Sequence, residues 1–341
     1  MKDKIFTAIC AIAFALTSCT KESFVPEPIT GDIPVTVSFV SEPVESKGFF
    51  DATAAAATET WEKSLSSLTV LCFDAAGNLL VQRNFTAAEV SAKKASFALP
   101  KTAAGTTCTF YAIANKAITG ITTKTTLSAI LETAAGEYNG TFAQVTTASR
   151  RNGGFIMSGS LSKAVAAAGV ATDVAITLKR TVAKVAVQTS LSSDFSSKYQ
   201  GAVRINSAVI SKAASQTPVI AGTANTGAMS YSCSQTPENS SGKYNNLFYL
   251  FESGSLATGS RVLLTLDATY DRDGNFTTTG DQMPVTYTLE LAGTANSGQI
   301  IRNGYYRIAV TLNGLTGQNV AAIVTVADWE APITQAVNLG Q

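Results

Sequence analysis

From Val35 onward the chain is built of short runs in which Val, Ile, Thr, Phe and Tyr alternate with polar residues, each run closed by Gly, Asn, Asp or Ser. Side chains two apart share one face of an extended strand, so this alternation predicts half-buried β-strands and leaves little of the chain for helices. The runs are VTVSFV at 35–40, LTVLCF at 68–73, CTFYAIA at 108–114, DVAITL at 173–178, VAKVAVQT at 182–189 and AVRINSAVI at 202–210. They continue with NLFYLFE at 246–252, RVLLTLDATY at 261–270, PVTYTLELA at 284–292, YYRIAVTLNG at 305–314 and AAIVTVADW at 321–329. DAAGN at 74–78 and DRDGN at 271–275 have hairpin chemistry, Gly or Asn supplying positive φ. Helix signals are few: a cap at Thr125 or Thr126 ahead of Leu127, and a turn or two within 86–94. An all-β protein of two Greek-key β-sandwich domains with a few short helices is expected. SLSKAVAAAGVATD at 160–173 is the least strand-like stretch near the middle, which places the junction near Leu178 and the domains at 35–178 and 179–341.

Ahead of the first strand the pattern changes. Lys2 and Lys4 precede an apolar or small run over 5–16, followed by Leu16-Thr17-Ser18-Cys19. That run is too short to cross a bilayer and reads as an export signal over 1–18. It ends in a lipobox, where small residues before a cysteine allow the thiol to be acylated and the chain cut just ahead of it. Cys19 is therefore expected to carry a lipid anchor, each buried methylene contributing about 0.8 kcal/mol. Residues 19–34, with Pro26, Pro28 and Pro34 and no periodicity, have the composition of a tether.

Composition narrows the function. The chain has no histidine, so Ser-His-Asp and Cys-His triads, imidazole metal sites and imidazole pH switches are excluded. A net charge of +1 with no basic stripe argues against a nucleic-acid partner. No paired carboxylates or phosphate loop appear, so no catalytic residue, metal or cofactor is expected. Asp271, Asp273 and Asn275 resemble the start of a calcium loop, but the further ligands and the distal glutamate are missing, and a hairpin turn is the better reading. Once Cys10 leaves and Cys19 is capped, Cys72, Cys108 and Cys233 remain with no CxxC spacing, which suits buried core residues better than a disulfide framework. Trp61 and Trp329 suit core or edge packing better than a sugar platform.

Several segments, in a fixed order, carry a family resemblance: VTVSFVSEPVESKG, LTVLCFDAAGNLL, FYAIANKAITGITTKTTLSAIL with its "vAN" strand end, GFIMSG with an "MSG" turn, and LKRTVAKVAV with Arg180 at a basic position. LFYLFES and IIRNGYYRIAVTLNGL with TVADWEAPI follow, the last two forming the most specific signature, from Arg302 to Trp329. Over roughly 300 residues this order resembles the fimbrillins of Bacteroidales, the FimA-like subunits of type V pili. The resemblance implies transthyretin-like sandwich domains and a structural role: export as an outer-membrane lipoprotein, cutting after the first strand by a trypsin-like protease, and polymerisation into an extracellular fimbrium that supports adhesion. The groove left by the first strand would take the C-terminal strand of a neighbour, by β-augmentation.

Under that resemblance the parts can be named. Val35, Val37 and Phe39 form the apolar face of the strand to be displaced, 35–40. The loop 42–51 carries one basic residue, Lys47, so cutting between Lys47 and Gly48 would remove lipid, tether and first strand together; the family's usual residue there is arginine. Arg150-Arg151 is a second exposed basic candidate inside the first domain. At the other end Pro332 breaks the last domain strand, and 333–340 alternates as a donor strand, with Ile333, Val337 and Leu339 on its apolar face; the competing reading is a last strand folded back on its own domain. Expected partners are copies of the chain or related fimbrillins, the processing protease, and a host or bacterial surface receptor. Loss of 1–18 removes Lys2, Lys4 and Asp3 and brings the net charge to 0, and loss of 19–47 removes two bases and five acids, leaving +3. Two other roles compete: a glycan-binding surface lipoprotein, which calls for exposed aromatic clusters, and a pilus anchor that keeps its lipid.

Overall fold

The computed structural model describes residues 33–40, 50, 59–224, 226–315, 326–328 and 334–339. Cys19, Lys47, Gly48, Ile333 and Trp329 lie outside the described residues. Strands dominate, as the alternation requires. The first half of the chain forms β1 (Ile33–Val40), β2 (Leu68–Phe73), β3 (Leu79–Asn84), β4 (Lys94–Leu99), β5 (Thr107–Ala114), β6 (Leu131–Glu132), β7 (Met157–Ala164), β8 (Thr172–Thr177) and β9 (Lys179–Arg180). The second half forms β10 (Val182–Leu191), β11 (Ala202–Ala213), β12 (Thr217–Pro218), β13 (Tyr231–Gln235), β14 (Glu238–Ser240) and β15 (Lys243–Phe251). It ends with β16 (Leu263–Asp271), β17 (Gln282–Glu290), β18 (Gly304–Leu312), β19 (Val326–Asp328) and β20 (Thr334–Leu339).

These strands make a three-stranded sheet β4-β1-β8, a five-stranded sheet β3-β2-β5-β7-β9, a four-stranded sheet β13-β11-β16-β17 and a sheet β14-β15-β10-β18-β19, with β20 also on β18. A two-stranded patch, β12-β6, ties residues 217–218 of the second half to the first. One core packs the inner faces of β1 and β8 against β2 and β5, through Val35, Val37, Val70, Phe110, Val174 and Ile176. It continues onto one face of the β10, β15 and β18 strands, through Val182, Tyr249, Phe251 and Tyr305. The opposite face of those strands joins β11, β16 and β17 in a second core around Val185, Ile210, Leu266, Tyr287 and Tyr306. The β10 and β15 strands are buried on both faces, which is why their sequences read as near-continuous apolar runs.

Turns and helices follow local chemistry. Gly77, at φ +84°, closes the hairpin from β2 to β3, and Gly274, at φ +75°, the one from β16 to β17. Helix α1 (Ala87–Ala92) starts at a Thr86 capping box with Glu89. Helix α2 (Lys124–Ser128) is capped by Thr123, two or three residues ahead of the expected Thr125 or Thr126, because Thr126 completes the box from the third helical position. Among the described residues no helix is long and apolar enough to cross a membrane.

Three readings need correction. The stretch 160–173 is not uniformly weak in strand: β7 runs through Ala164 on the edge-to-edge pairing with β5, and its polar side chains simply face solvent. The "MSG" residues open a strand instead of a turn, with Met157 paired to Arg180 and to Ala114. The Arg150-Arg151 pair is only half open: Arg150 is exposed, whereas the Arg151 guanidinium donates to the carbonyls of Asn115, Asn152 and Gly154 at 3.0, 3.1 and 3.0 Å.

Candidate assembly site

The first strand occupies the middle of its sheet. β1 runs antiparallel to β4, with Val35 opposite Phe97 and Val37 opposite Ala95. It runs parallel to β8, with Val35 beside Thr172, Val37 beside Val174 and Phe39 beside Ile176. Its alternation is fully used: Ile33, Val35 and Val37 are 0% exposed and Phe39 7%, while Pro34, Thr36 and Ser38 between them are half-buried. The strand starts two residues earlier than the sequence run suggested, because Ile33 also faces the core. Phe39 meets the Phe85 ring edge-on at 5.6 Å, closing one end. β4 and β8 pair with β1 and not with one another. Taking β1 out would therefore leave two facing sheet edges about 9.6 Å apart, twice the strand spacing, over an apolar floor. Burying the four inward side chains contributes roughly 1.5–3 kcal/mol each, gross.

The expected donor strand is seated on its own chain. β20 runs parallel to β18, from Arg307 opposite Thr334 to Leu312 opposite Leu339, with Val337 opposite Val310. It shares that edge with β19, which pairs antiparallel to residues 304–306 of β18. β20 thus lies at a sheet border, held by one ladder, while β1 is held by two.

Around β9, β10, β15 and β18 lies a charged cluster that sequence reading did not find. Glu62, in a single 3-10 turn (Thr60–Lys63), is 0% exposed. Its Oε1 is 2.9 Å from Lys184 Nζ of β10 and accepts the Tyr249 hydroxyl of β15 at 2.5 Å. Burial and the adjacent carboxylate hold the Tyr249 phenol well above its ordinary pKa. Arg180 Nε donates to the Glu62 carbonyl at 2.8 Å, and its Nη1 to Asn303 Oδ1 at 2.9 Å. Farther along β18, Arg307 is 2% exposed; its Nη2 donates to the Phe50 carbonyl at 2.8 Å and its guanidinium lies 4.7 Å from the Phe50 ring centroid. Arg180, Lys184 and Arg307 thus grip the segment that follows the expected cut at Lys47.

The motif residues behind the resemblance take part in the same construction. Asn115, ending β5 at φ +64°, accepts the Ser66 amide at 2.8 Å and donates to the Ser64 and Phe155 carbonyls at 2.8 and 2.7 Å. Arg302 Nε donates to Glu252 Oε2 at 2.9 Å, and its Nη2 to the Pro218 carbonyl at 2.9 Å. Glu252 in turn accepts the Thr217 hydroxyl at 3.1 Å. A β-carbon on Gly159 would sit 2.1 Å from the Thr177 carbonyl, so only glycine lets β7 pass the end of β8.

Other candidates resolve as structure. Asp271, Asp273 and Asp281 bring carboxylate oxygens within 4.8 Å of one another. Asp271 accepts the Asn275 amide at 3.0 Å and the Gln282 side chain at 2.9 Å, and Asp273 accepts the Asn275 amide at 2.7 Å, which is hairpin chemistry. Cys72 and Cys108 are buried and Cys233 half-buried, all as free thiols; burial pushes the Cys233 thiol up to about 11. Trp61 stacks on Phe155 at 5.7 Å and meets Tyr249 edge-on, so it is part of the packed cluster, on the wall of a cleft of about 260 Å³.

Residues 30–334 match the family model of fimbrillin-A associated anchor proteins Mfa1 and Mfa2. The fold is also similar to solved structures. A putative cell adhesion protein from Bacteroides eggerthii superposes with a TM-score of 0.57 at 17% identity, over 91% of this chain and 98% of that one. A fimbrilin (fimA) from Porphyromonas gingivalis gives 0.56 at 15% identity, over 90% and 97%. A putative cell adhesion protein from Parabacteroides distasonis gives 0.56 at 16%, over 89% and 98%. No curated protein matches the chain.

Proposed function

Because the chain belongs to the family of fimbrillin-A associated anchor proteins Mfa1 and Mfa2, we propose that it is a structural, non-catalytic subunit of a cell-surface fimbrium, assembled by strand exchange at the β1 slot. The observation that carries this reading is the placement of β1: a central strand with its four inward side chains buried, joined to the rest of the chain through a segment with one basic residue, Lys47. On this reading the chain is exported as a lipoprotein acylated on Cys19, and comprises two sandwich domains of transthyretin-like type meeting near residue 178. A trypsin-like protease cuts between Lys47 and Gly48, and a strand of a neighbouring subunit replaces Val35, Val37 and Phe39 in the groove. Ile333, Val337 and Leu339 are the residues this chain would offer in turn to the next subunit. Adhesion through a host or bacterial receptor follows from display at the fibre surface.

A second reading, an anchor that keeps its lipid and its first strand, is favoured by the pairing of β20 with the chain's own β18. N-terminal sequencing of material sheared from cells separates the two. A start at Gly48 supports a processed subunit, and an acylated Cys19 in every molecule would refute processing.

A further inference from the structure

The β1 slot is selective about what can fill it. Four inward positions, i, i+2, i+4 and i+6, are apolar and closed to solvent: Ile33, Val35, Val37 and Phe39. The chain's own C-terminal strand offers Ile333, Gln335, Val337 and Leu339 at the same spacing, so one of its four is an amide. Laid in the direction of β1, that strand puts Gln335 at the Val35 position; laid in reverse, it puts Gln335 at the Val37 position. Both positions are 0% exposed. Val37 is flanked by Ala95 and Val174. Val35 is flanked by Phe97 and Thr172; the Thr172 hydroxyl accepts the Ala166 amide at 2.9 Å and has one O–H left to offer an amide oxygen, so at least the NH2 of a glutamine there goes unserved by these neighbours. A one-residue slip is worse, since it turns Thr334, Ala336 and Asn338 inward. A shift that carries Gln335 to one end of the slot either brings Gln341 in at the other or puts Pro332 inside the ladder, where it has no N–H to donate.

We propose that Gln335 sets the partner of this slot: it makes the C-terminal strand of a second copy a poor occupant, and the fitting occupant is a strand of a related subunit with apolar side chains at all four inward positions. This rests on the strand-exchange reading above. A buried amide with no partner loses the hydrogen bonds it made to water, whereas a valine in its place gains from burial. Copies of this chain therefore pass strands to one another poorly, and the subunit takes its place next to a different fimbrial protein. Each copy's own first strand, with four apolar residues, outcompetes a second copy's C-terminal strand for the slot.

The test uses the full chain, solubilised in detergent and cut with trypsin under native conditions, and three fluorescent peptides. They are residues 31–41, residues 331–341, and residues 331–341 with Gln335→Val. The first-strand peptide is expected to bind most tightly, and the Gln335→Val peptide about ten- to a hundredfold more tightly than the native C-terminal peptide, at ~1.4 kcal/mol per tenfold. No binding of the first-strand peptide would refute the slot itself and the proposal with it. Binding of that peptide together with equal affinities for the two C-terminal peptides would overturn the proposal and leave the slot standing. In the full chain, Gln335→Val should convert trypsin-treated monomer into multimers on a gel, and equal multimer formation by the native chain would count against the proposal.

Discussion

Replacing Glu62 with alanine should weaken the joint between the sheets more than any surface change can. The carboxylate is fully enclosed, 2.9 Å from Lys184 Nζ and 2.5 Å from the Tyr249 hydroxyl. At an effective dielectric of about 20, a pair at that distance attracts by roughly 6 kcal/mol gross. Desolvation of both ions offsets much of this, so the pair as a whole adds little net stability. Removing one member is different: it takes from the Lys184 ammonium, itself 4% exposed, the carboxylate at 2.9 Å, leaving it in a cleft lined by Trp61 and Leu247 as well as by Glu59 and Glu238. The expected loss is about 3–5 kcal/mol, or a fall in Tm of roughly 6–20 °C at ~2–4 °C per kcal/mol. Glu62→Gln keeps the shape and an acceptor for Tyr249 and should cost less. The double variant Glu62→Met with Lys184→Met removes both charges and should recover most of the loss, because neither buried ion remains to be desolvated. Urea and thermal unfolding of the native chain, Glu62→Met, Lys184→Met and the double variant, read as a double-mutant cycle, measure the coupling. A Glu62→Ala loss below about 1 kcal/mol, or a double variant no better than the worse single, would refute the reasoning.

Further outcomes follow from the same geometry. Gly159→Ala forces a methyl within 2.1 Å of the Thr177 carbonyl, so β8 must shift; a loss of more than about 2 kcal/mol is expected in urea unfolding, and an unchanged midpoint would contradict the close approach. Val37→Ala empties part of a fully buried position in β1 and should cost about 1–3 kcal/mol, with faster release of the first strand after trypsin treatment; unchanged release would argue that β1 is not held by its inward side chains. The nearby Ser192 hydroxyl, and then the Lys198 ammonium at 2.9 Å, hold the Asp194 carboxyl down to about 2. Since that lies below the unfolded value of about 3.9, its stabilisation is complete above pH ~4 and is lost as pH falls toward 2. Asp194→Asn should flatten that part of the acid limb, and an unaltered limb would show the group plays no part in it.

Much of this was legible in the sequence because it depends on neighbours along the chain. The hairpin turn at 74–78 follows from Gly77, and α1 from the Thr86 and Glu89 box, since both are decided within five residues. The apolar face of β1 was equally readable: its period of two says which side chains point in, whichever core they point into. Arg180, Glu252, Arg302 and Asn303 stood out only as parts of a resemblance, because their partners lie 50 to 123 residues away. Glu62 carried no signal at all. A glutamate between Trp61 and Lys63, three residues after Glu59, reads as solvent-facing, and only the arrival of β10 and β15 makes it a buried counter-ion. The polar exterior of β7 misled for the converse reason: a strand with one solvated face need not look like a strand.

By itself, then, the sequence determined that the chain is made of strands, where most of them turn, which face of the first strand is apolar, and that a single basic residue, Lys47, stands in the loop after it. These are local properties, governed by the two-residue period and by the few residues able to adopt positive φ. Only the tertiary structure decided that β1 sits between β4 and β8, that β20 rests on β18, and that three cations converge on the segment between. Strand partners and buried ion pairs join residues far apart in the chain, and their free energy depends on which surfaces exclude water together, a quantity no single stretch of sequence contains.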